Sequence, residues 1–391
     1  MKKMRSIELF AGCGGLALGM AEAGFDHSLV VEYDPHACAT LEFNKKRRVR
    51  HFADWNIQQE DVRNIDFSSW AGKIDVISGG PPCQPFSIGG KHKGPADKRN
   101  MWPEAIRAVR EIRPKGFIFE NVRGLLRPNF ADYLKFIQLQ LAWPTVRSRG
   151  SKTWRDALKK LDQHARSGAR PEYRVIVRAI NPADYGASQK RHRAIFMGVR
   201  SDIAEEIIFP AATHSVEALV WDQAISGAYW NRHELTRPNR RLATISEERT
   251  LKKIREGGER PSGVAWKTVR DTIGDLPKPT PQSEYHLNHL LHKGAKAYVG
   301  HTGSFWDEPA KALKAGAHGV PGGENILVGP NGKVRYFTVR EMARLQGLPD
   351  SFGIDESNES WQSAIKQLGN AVPVEVGRVF GGSIMRQIAQ R

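Results

Sequence analysis

Two turns in this chain hold residues whose types and spacing suit chemistry. FAGCGG at 10–15 joins a short apolar run to a helix-like run. Glycines at such a junction let the backbone turn tightly and approach a ligand, with the first helical amides pointing at it. The pattern is not GxGxxG, so alone it specifies no dinucleotide. Glu32 follows Gly12 by twenty residues, where a second strand should end; an acid in that place suits a pair of ribose hydroxyls. Asp61, beyond the point where a third strand should end, is placed to accept from an adenine amino group. The second turn is GGPPCQPFS at 79–87. Pro81, Pro82 and Pro85 stiffen the loop around Cys83 and give it the rigid aim that a thiolate nucleophile needs. A cysteine used only for packing sits more often inside an apolar run.

The flanking runs are the elements that must position these residues. SIELF (6–10), HSLVVEYD (27–34), IDVISGGPP (74–82), KGFIFENV (115–122), YRVIVRAIN (173–181) and HRAIFMGVR (192–200) read as strands. LALGMAEAGF (16–25), PHACATLEFNKK (35–46) and NMWPEAIRAVREIRP (100–114) read as helices, the last with Pro103 in its first turn. Strands alternating with helices predict an α/β fold with a parallel, doubly wound sheet, and such sheets bind ligands beyond the carboxyl ends of their strands. Both turns fall at such an end. After about residue 206 the alternation stops, and a smaller irregular domain is expected over 207–357. The helical pattern that returns at VREMARLQGLP leads into 358–391, which we assign with 1–206 to the first domain.

Composition narrows the partners. The 391 residues hold 59 Lys and Arg against 42 Asp and Glu, a net charge of +17, which suits a polyanion such as nucleic acid. The surplus is local: residues 141–200 carry 14 basic and 4 acidic side chains. A basic face there would grip phosphates without reading bases. No run of about 18 apolar residues could cross a membrane, and Glu8 and the glycines that follow argue against a signal peptide. Three scattered cysteines exclude a disulfide framework and suit a reducing, cytoplasmic setting. KKRRVR at 45–50 reads as a solvated or phosphate-facing surface. His286, His289 and His292 mimic a metal motif, but no cysteine lies near; they read as helix-face or DNA-facing residues, and no metal is expected.

Taken together, FAGCGG, GGPPCQPFS, ENV (120–122), QKRHR (189–193), REMARLQGLP (340–349) and QLGNAVP (367–373) make the chain resemble the C5-cytosine-specific DNA methyltransferases of the compact bacterial type. The motifs stand in that family's order and span residues 6 to about 380. The resemblance implies an S-adenosylmethionine-dependent, Rossmann-like methyltransferase domain with a target-recognition domain in the unmatched middle. It implies that Cys83 adds to C6 of cytosine, because C5 is otherwise too weak a nucleophile to take a methyl group. Glu120 would serve ring N3, Arg193 the cytosine carbonyl, and Arg191 would brace the Cys83 loop. Phe10, Gly12, Cys13, Gly14, Glu32, Asp61, Pro81 and Asn370 would surround S-adenosylmethionine, which leaves as S-adenosylhomocysteine. The base must be flipped from double-stranded DNA, with Gln84 and Ser87 closing around it. Arg237, Asn239 and Arg240, in TRPNRRLAT, are types that bind guanine and adenine edges or phosphates. A cognate restriction endonuclease acting separately is an expected companion. Two alternatives share the fold, a tRNA cytosine-C5 methyltransferase and a catalytically silent DNA-binding relative.

Overall fold

A computed structural model of the chain describes residues 3–82, 100–146, 151, 153–236, 245–282, 287–298, 302–316 and 325–389. In the first half of the chain the elements are β1 (Met4–Leu9), α1 (Gly15–Glu22), β2 (Phe25–Glu32), α2 (Pro35–Lys46), β3 (Ile57–Gln59), β4 (Val76–Gly79), α3 (Trp102–Ile112), β5 (Gly116–Val122), α4 (Ala131–Ala142), α5 (Trp154–Arg166), β6 (Tyr173–Ile180), β7 (Gln189–Lys190) and β8 (Arg193–Arg200). Seven of these strands form one sheet in the order β3-β2-β1-β4-β5-β8-β6. From β1 the chain builds outward through β2 and β3, then returns to place β4 on the other side of β1. The switch point therefore lies between β1 and β4, the place where sheets of this kind take their ligands.

The first five strands are mutually parallel, as the sequence predicts, but β8 runs antiparallel to both β5 and β6. The expectation of an all-parallel sheet fails there for a simple reason. Residues 181–192 between β6 and β8 contain one short 3-10 turn (Pro182–Tyr185) and β7, with no crossover helix. A connection that short can join antiparallel neighbours only. The edge strand β6 is reached through α4 and α5 and so lies parallel to β5.

Both faces of the sheet are covered. Ile7, Leu9, Ile77, Phe117, Phe119 and Phe196 pack against Trp102, Ile106 and Val109 of α3 and Ile137 and Leu141 of α4. The alternate residues, among them Val76, Ile118, Ile195 and Met197, pack beneath Leu16 and Met20 of α1 and a C-terminal helix bearing Val376, Phe380 and Ile384. A strand buried on both faces reads as a continuous apolar run, which is why FIF and AIFM are so plain in the sequence.

The second half adds β9 (His214–Ser215), α6 (Val216–Ala224), α7 (Ala228–Arg232), α8 (Ile245–Gly257), β10 (Val264–Ala265), α9 (Val269–Ile273), β11 (Ser304–Phe305), β12 (Ala310–Lys311), β13 (Ile326–Val328), β14 (Val334–Tyr336), α10 (Val339–Leu345), α11 (Trp361–Asn370) and α12 (Val374–Ala389). Its strands are two or three residues long, in small separate sheets, except that β12 pairs with β7. Val269, Leu313, Phe337 and Met342 share a core with Ala17, Leu41, Phe52 and Trp55, so part of 207–357 is packed directly onto the first domain. The close of the chain returns to the start: α12 lies across α1 so tightly that a Cβ on Gly19 would stand 2.2 Å from the Val374 carbonyl oxygen.

The described part of the histidine run, 287–292, is not helical. His289 is buried, with Nδ1 2.9 Å from Thr338 Oγ1 and Nε2 2.8 Å from the Pro277 carbonyl. His292 stacks on Trp361 at 4.5 Å. Both are packing residues rather than helix-face or DNA-facing ones, and His286 lies outside the described residues.

Candidate active site

The site is built at the carboxyl ends of β1, β2, β4 and β5. Past Leu9 the backbone turns sharply: Phe10 and Gly12 have φ values of 57° and 55°, and Gly14, with φ 92°, precedes the first residue of α1. Phe10 pays a conformational penalty that Gly12 and Gly14 avoid. A Cβ on Gly12 would meet nothing within 4 Å, so this part of the turn faces open space. Gly14 is the opposite case, with its Cβ position hemmed in by Leu41, Phe52 and Trp55 at 3.0–3.1 Å. Cys13 turns into the core, where its thiol donates to the Gln367 carbonyl at 3.8 Å and burial pushes its pKa up to about 12. Its thiol packs in the core, so the contact expected of Cys13 in the turn falls to its backbone.

Glu32 ends β2 and is bound into the same turn. Its Oε2 accepts from the Gly12 amide at 2.7 Å, and its Oε1 from the Tyr33 and Asp34 amides at 2.8 and 2.7 Å. Three charge-assisted bonds fix this carboxylate and leave lone pairs for a hydroxyl. The Glu60 amide donates to the Glu32 carbonyl at 3.0 Å, which brings Asp61 to the end of the neighbouring strand. Asp61 pairs with Arg63 at 2.5 Å, and that guanidinium holds its carboxyl below the usual range. Asn370, the last residue of α11, is exposed.

Beyond β4, Gly80 and Pro81 approach the end of β5. A Cβ on Gly80 would lie 3.6 Å from Glu120 Oε2, and Asn121 Nδ2 donates to the Pro81 carbonyl at 3.0 Å. That amide clamp was missed in the sequence, although ENV presents it beside the acid. Glu120 and Arg193 face each other across β5 and β8, with Arg193 Nε 2.5 Å from Glu120 Oε1 and side-chain exposures of only 14% and 11%. Arg191 goes elsewhere. It is buried and donates to the carbonyls of Leu313 at 2.6 Å and Gly369 at 2.7 Å. It thus holds the residue before Asn370, a contact not anticipated from QKRHR. Gln189, buried two residues earlier, donates to the Leu345 carbonyl at 3.0 Å and to Gln346 Oε1 at 2.8 Å. Glu8 is a further residue the sequence reading passed over. It lies wholly buried on β1, accepts from Ser78 Oγ, and is pushed up to about 8 by burial. Cys83, Gln84, Ser87, Arg237, Asn239 and Arg240 all lie outside the described residues.

The sheet order and its ligand-facing turns define the fold of the S-adenosylmethionine-dependent methyltransferases. Residues 4–386 match the family described as C-5 cytosine-specific DNA methylase, and the chain belongs to that family. Type II methyltransferase M.PspPI of Psychrobacter sp. (strain TA137) is 30% identical over 384 residues, covering 98% of this chain and 79% of its own. Type II methyltransferase M.Eco47II of Escherichia coli is 30% identical over 383 residues, covering 97% and 78%. Among solved structures, the S. pombe Dnmt2 methyltransferase superposes with a TM-score of 0.58 at 16% identity, covering both chains fully. At that identity the likeness speaks for the fold. The enzyme is thus a DNA cytosine C5 methyltransferase, and among its described residues no helix is long and apolar enough to cross a membrane.

The turns fit the methyl donor that the family implies. Gly12 leaves open space where any other residue would project a Cβ, a fixed carboxylate stands at the end of β2, and an exposed amide at Asn370. These groups match the adenosine's hydroxyls and a close backbone approach.

Proposed function

We propose that the protein methylates one cytosine within a short specific sequence of double-stranded DNA, as the modification half of a bacterial restriction-modification system, with a separate endonuclease as its counterpart. The relatives' Type II names support that setting, and a cytoplasmic, nucleoid-bound location is part of the same proposal. Bound S-adenosylmethionine supplies an activated methyl group. In this reading Phe10, Gly12, Cys13 (through its backbone), Gly14, Glu32, Asp61, Pro81 and Asn370 hold it, with Glu32 on the ribose hydroxyls. Residues 207–357 act as the target-recognition domain, and Arg237, Asn239 and Arg240 contact DNA there. Residues 1–206 and 358–391 form the catalytic domain.

The observation that carries the reading is the Glu120–Arg193 pair beside the Gly80–Pro81 turn. A flipped cytosine presents N3 and its carbonyl side by side, and the pair offers a carboxyl and a guanidinium side by side. The Cys83 thiolate, on the loop leaving Pro81, adds to C6. Glu120 supports N3 as electron density enters the ring, and Arg193 stabilises the charge developing on the carbonyl. Gln84 and Ser87 close around the base. After C5 is methylated, water removes its proton, the C6–S bond breaks and Cys83 departs as thiolate. Arg191 braces the Cys83 loop and also positions Asn370 through Gly369. The test is transfer of labelled methyl groups to unmodified genomic DNA, followed by bisulfite sequencing. Label at cytosines of one short motif is the expected result. Label in tRNA alone, or no label with DNA binding intact, would overturn it.

A further inference from the structure

We infer that the exposed basic face of α5 is a second DNA-contacting surface, gripping backbone phosphates of the duplex beside the target site. The inference rests on the proposed DNA substrate but on none of the catalytic or base-reading residues. Arg155, Lys159 and Arg166 recur at helical spacing on α5 and are all exposed. Ala157 and Leu161 of the same helix are buried, Leu161 against α4 and the residues that follow it. The acids nearby are already engaged: Asp156 closes the capping box with Thr153, and Asp162 bonds Lys135 at 2.7 Å and Arg166 at 2.9 Å. The outward field of this face is therefore positive. Its place in the fold matters more than its charge. α4 begins just after the carboxyl end of β5, and α5 runs alongside it in the same direction. At one end Trp154 meets Tyr133 at 5.2 Å; at the other His164 meets Trp143 at 5.7 Å. Tyr133 in turn accepts from Asn100 Nδ2 at 2.5 Å. The basic face thus starts at the active-site edge of the sheet. From Arg155 to Arg166 it extends about 16 Å at helical rise, the axial length of roughly five base pairs at about 3.4 Å each. A duplex presenting a base to Glu120 and Arg193 has flanking phosphates on both sides, and α5 supplies cations on one of them.

The test compares the full-length protein with a triple variant, Arg155→Gln, Lys159→Gln and Arg166→Gln. A charge-matched control replaces Lys73, Arg113 and Arg386, all exposed and none on α4 or α5, with Gln. Binding to a long unmodified duplex is followed by anisotropy from 50 to 200 mM salt. Each phosphate contact contributes a slope of about −0.9 in log K against log salt, so losing all three flattens the slope by about 2.7. The gap between wild type and variant then narrows roughly 40-fold across that salt range. The methylated sequence motif, cofactor affinity and thermal midpoint stay unchanged, and the control keeps the wild-type slope. Equal slopes for wild type and triple variant, or an equal loss in the control, would overturn the inference. A wild type that binds the duplex but transfers no methyl to DNA would count against the proposed function instead, while the binding slopes still decide the role of α5.

Discussion

Replacing Arg193 with alanine separates a catalytic pair from a structural one. The Arg193 and Glu120 side chains meet at 2.5 Å and are 14% and 11% exposed. Two unit charges about 4 Å apart attract by about 4 kcal/mol at an effective dielectric constant near 20. Removing one member of a buried pair typically costs about 3–5 kcal/mol, because the other is left uncompensated. With some water access retained, we expect a loss of about 2–4 kcal/mol, which a domain of ordinary stability, about 5–15 kcal/mol, survives. The rate carries the decisive number. Deleting a fixed donor aimed at developing charge lowers kcat by about 10²–10³, whereas Glu120→Gln, which keeps shape but loses the acid, lowers it by about 10²–10⁴. Because both act on one base, the double variant should lose little more than the worse single variant. Urea denaturation reads the first quantity and single-turnover methyl transfer the second. An Arg193→Ala protein that loses stability yet transfers methyl at the wild-type rate would refute the catalytic assignment and leave a mere brace between β5 and β8.

Three further outcomes follow from the same geometry. Glu32→Gln places an amide nitrogen among three backbone donors; at about 1.5–3 kcal/mol per lost charged bond, S-adenosylmethionine affinity by calorimetry should fall about 10–100-fold, and an unchanged Kd would remove Glu32 from the site. Gly19→Ala drives a methyl group into the Val374 carbonyl, 2.2 Å from its Cβ position; parting α1 from α12 should cost about 1–3 kcal/mol or more, and an unaltered denaturation midpoint would deny the close crossing. Glu8 ionises near 4.5 when unfolded but near 8 in the native protein, so the unfolded state sheds a proton that the folded state keeps. Stability from this group is full below about pH 4.5 and declines by roughly 1.4 kcal/mol per unit as pH rises toward 8. Glu8→Gln should flatten that decline between pH 5 and 8, and parallel curves for the two proteins would count against a neutral native Glu8.

Much of this was legible because chemistry and periodicity coincide at strand ends. The strands with two buried faces announce themselves as apolar runs, and both ligand-facing turns follow such runs. β3 gave no comparable signal: Ile57–Gln59 is a three-residue edge strand with two exposed glutamines, so only the position of Asp61 hinted at it. The antiparallel β8 was hidden because HRAIFMGVR carries no mark of direction; the missing crossover helix before it was the available clue. The inward turn of the Cys13 thiol had no local signal, because its partner, the Gln367 carbonyl, lies far off in sequence. His289 reads as a possible ligand until Thr338 and Pro277, far off in sequence, claim both of its ring nitrogens.

The two arginines of QKRHR show how one short segment can govern both halves of the site. Residues two apart on a continuous strand point to the same face, which would send Arg191 and Arg193 together toward Glu120. The chain is not continuous there. Gln189 and Lys190 leave the main sheet to pair with Ala310 and Lys311 on β12, and β8 begins only at Arg193. The break frees Arg191 to reach the carbonyls of Leu313 and Gly369, while Arg193 takes the β8 register that sets it opposite Val122, two residues past Glu120. One guanidinium therefore fixes Glu120, and its neighbour fixes the segment that ends in Asn370. Lysine could not replace Arg191, since a single ammonium lacks the planar fork that spans two carbonyls. Loosening that fork would shift Asn370 without touching Glu120, so an Arg191→Lys defect belongs in cofactor affinity rather than in the chemical step.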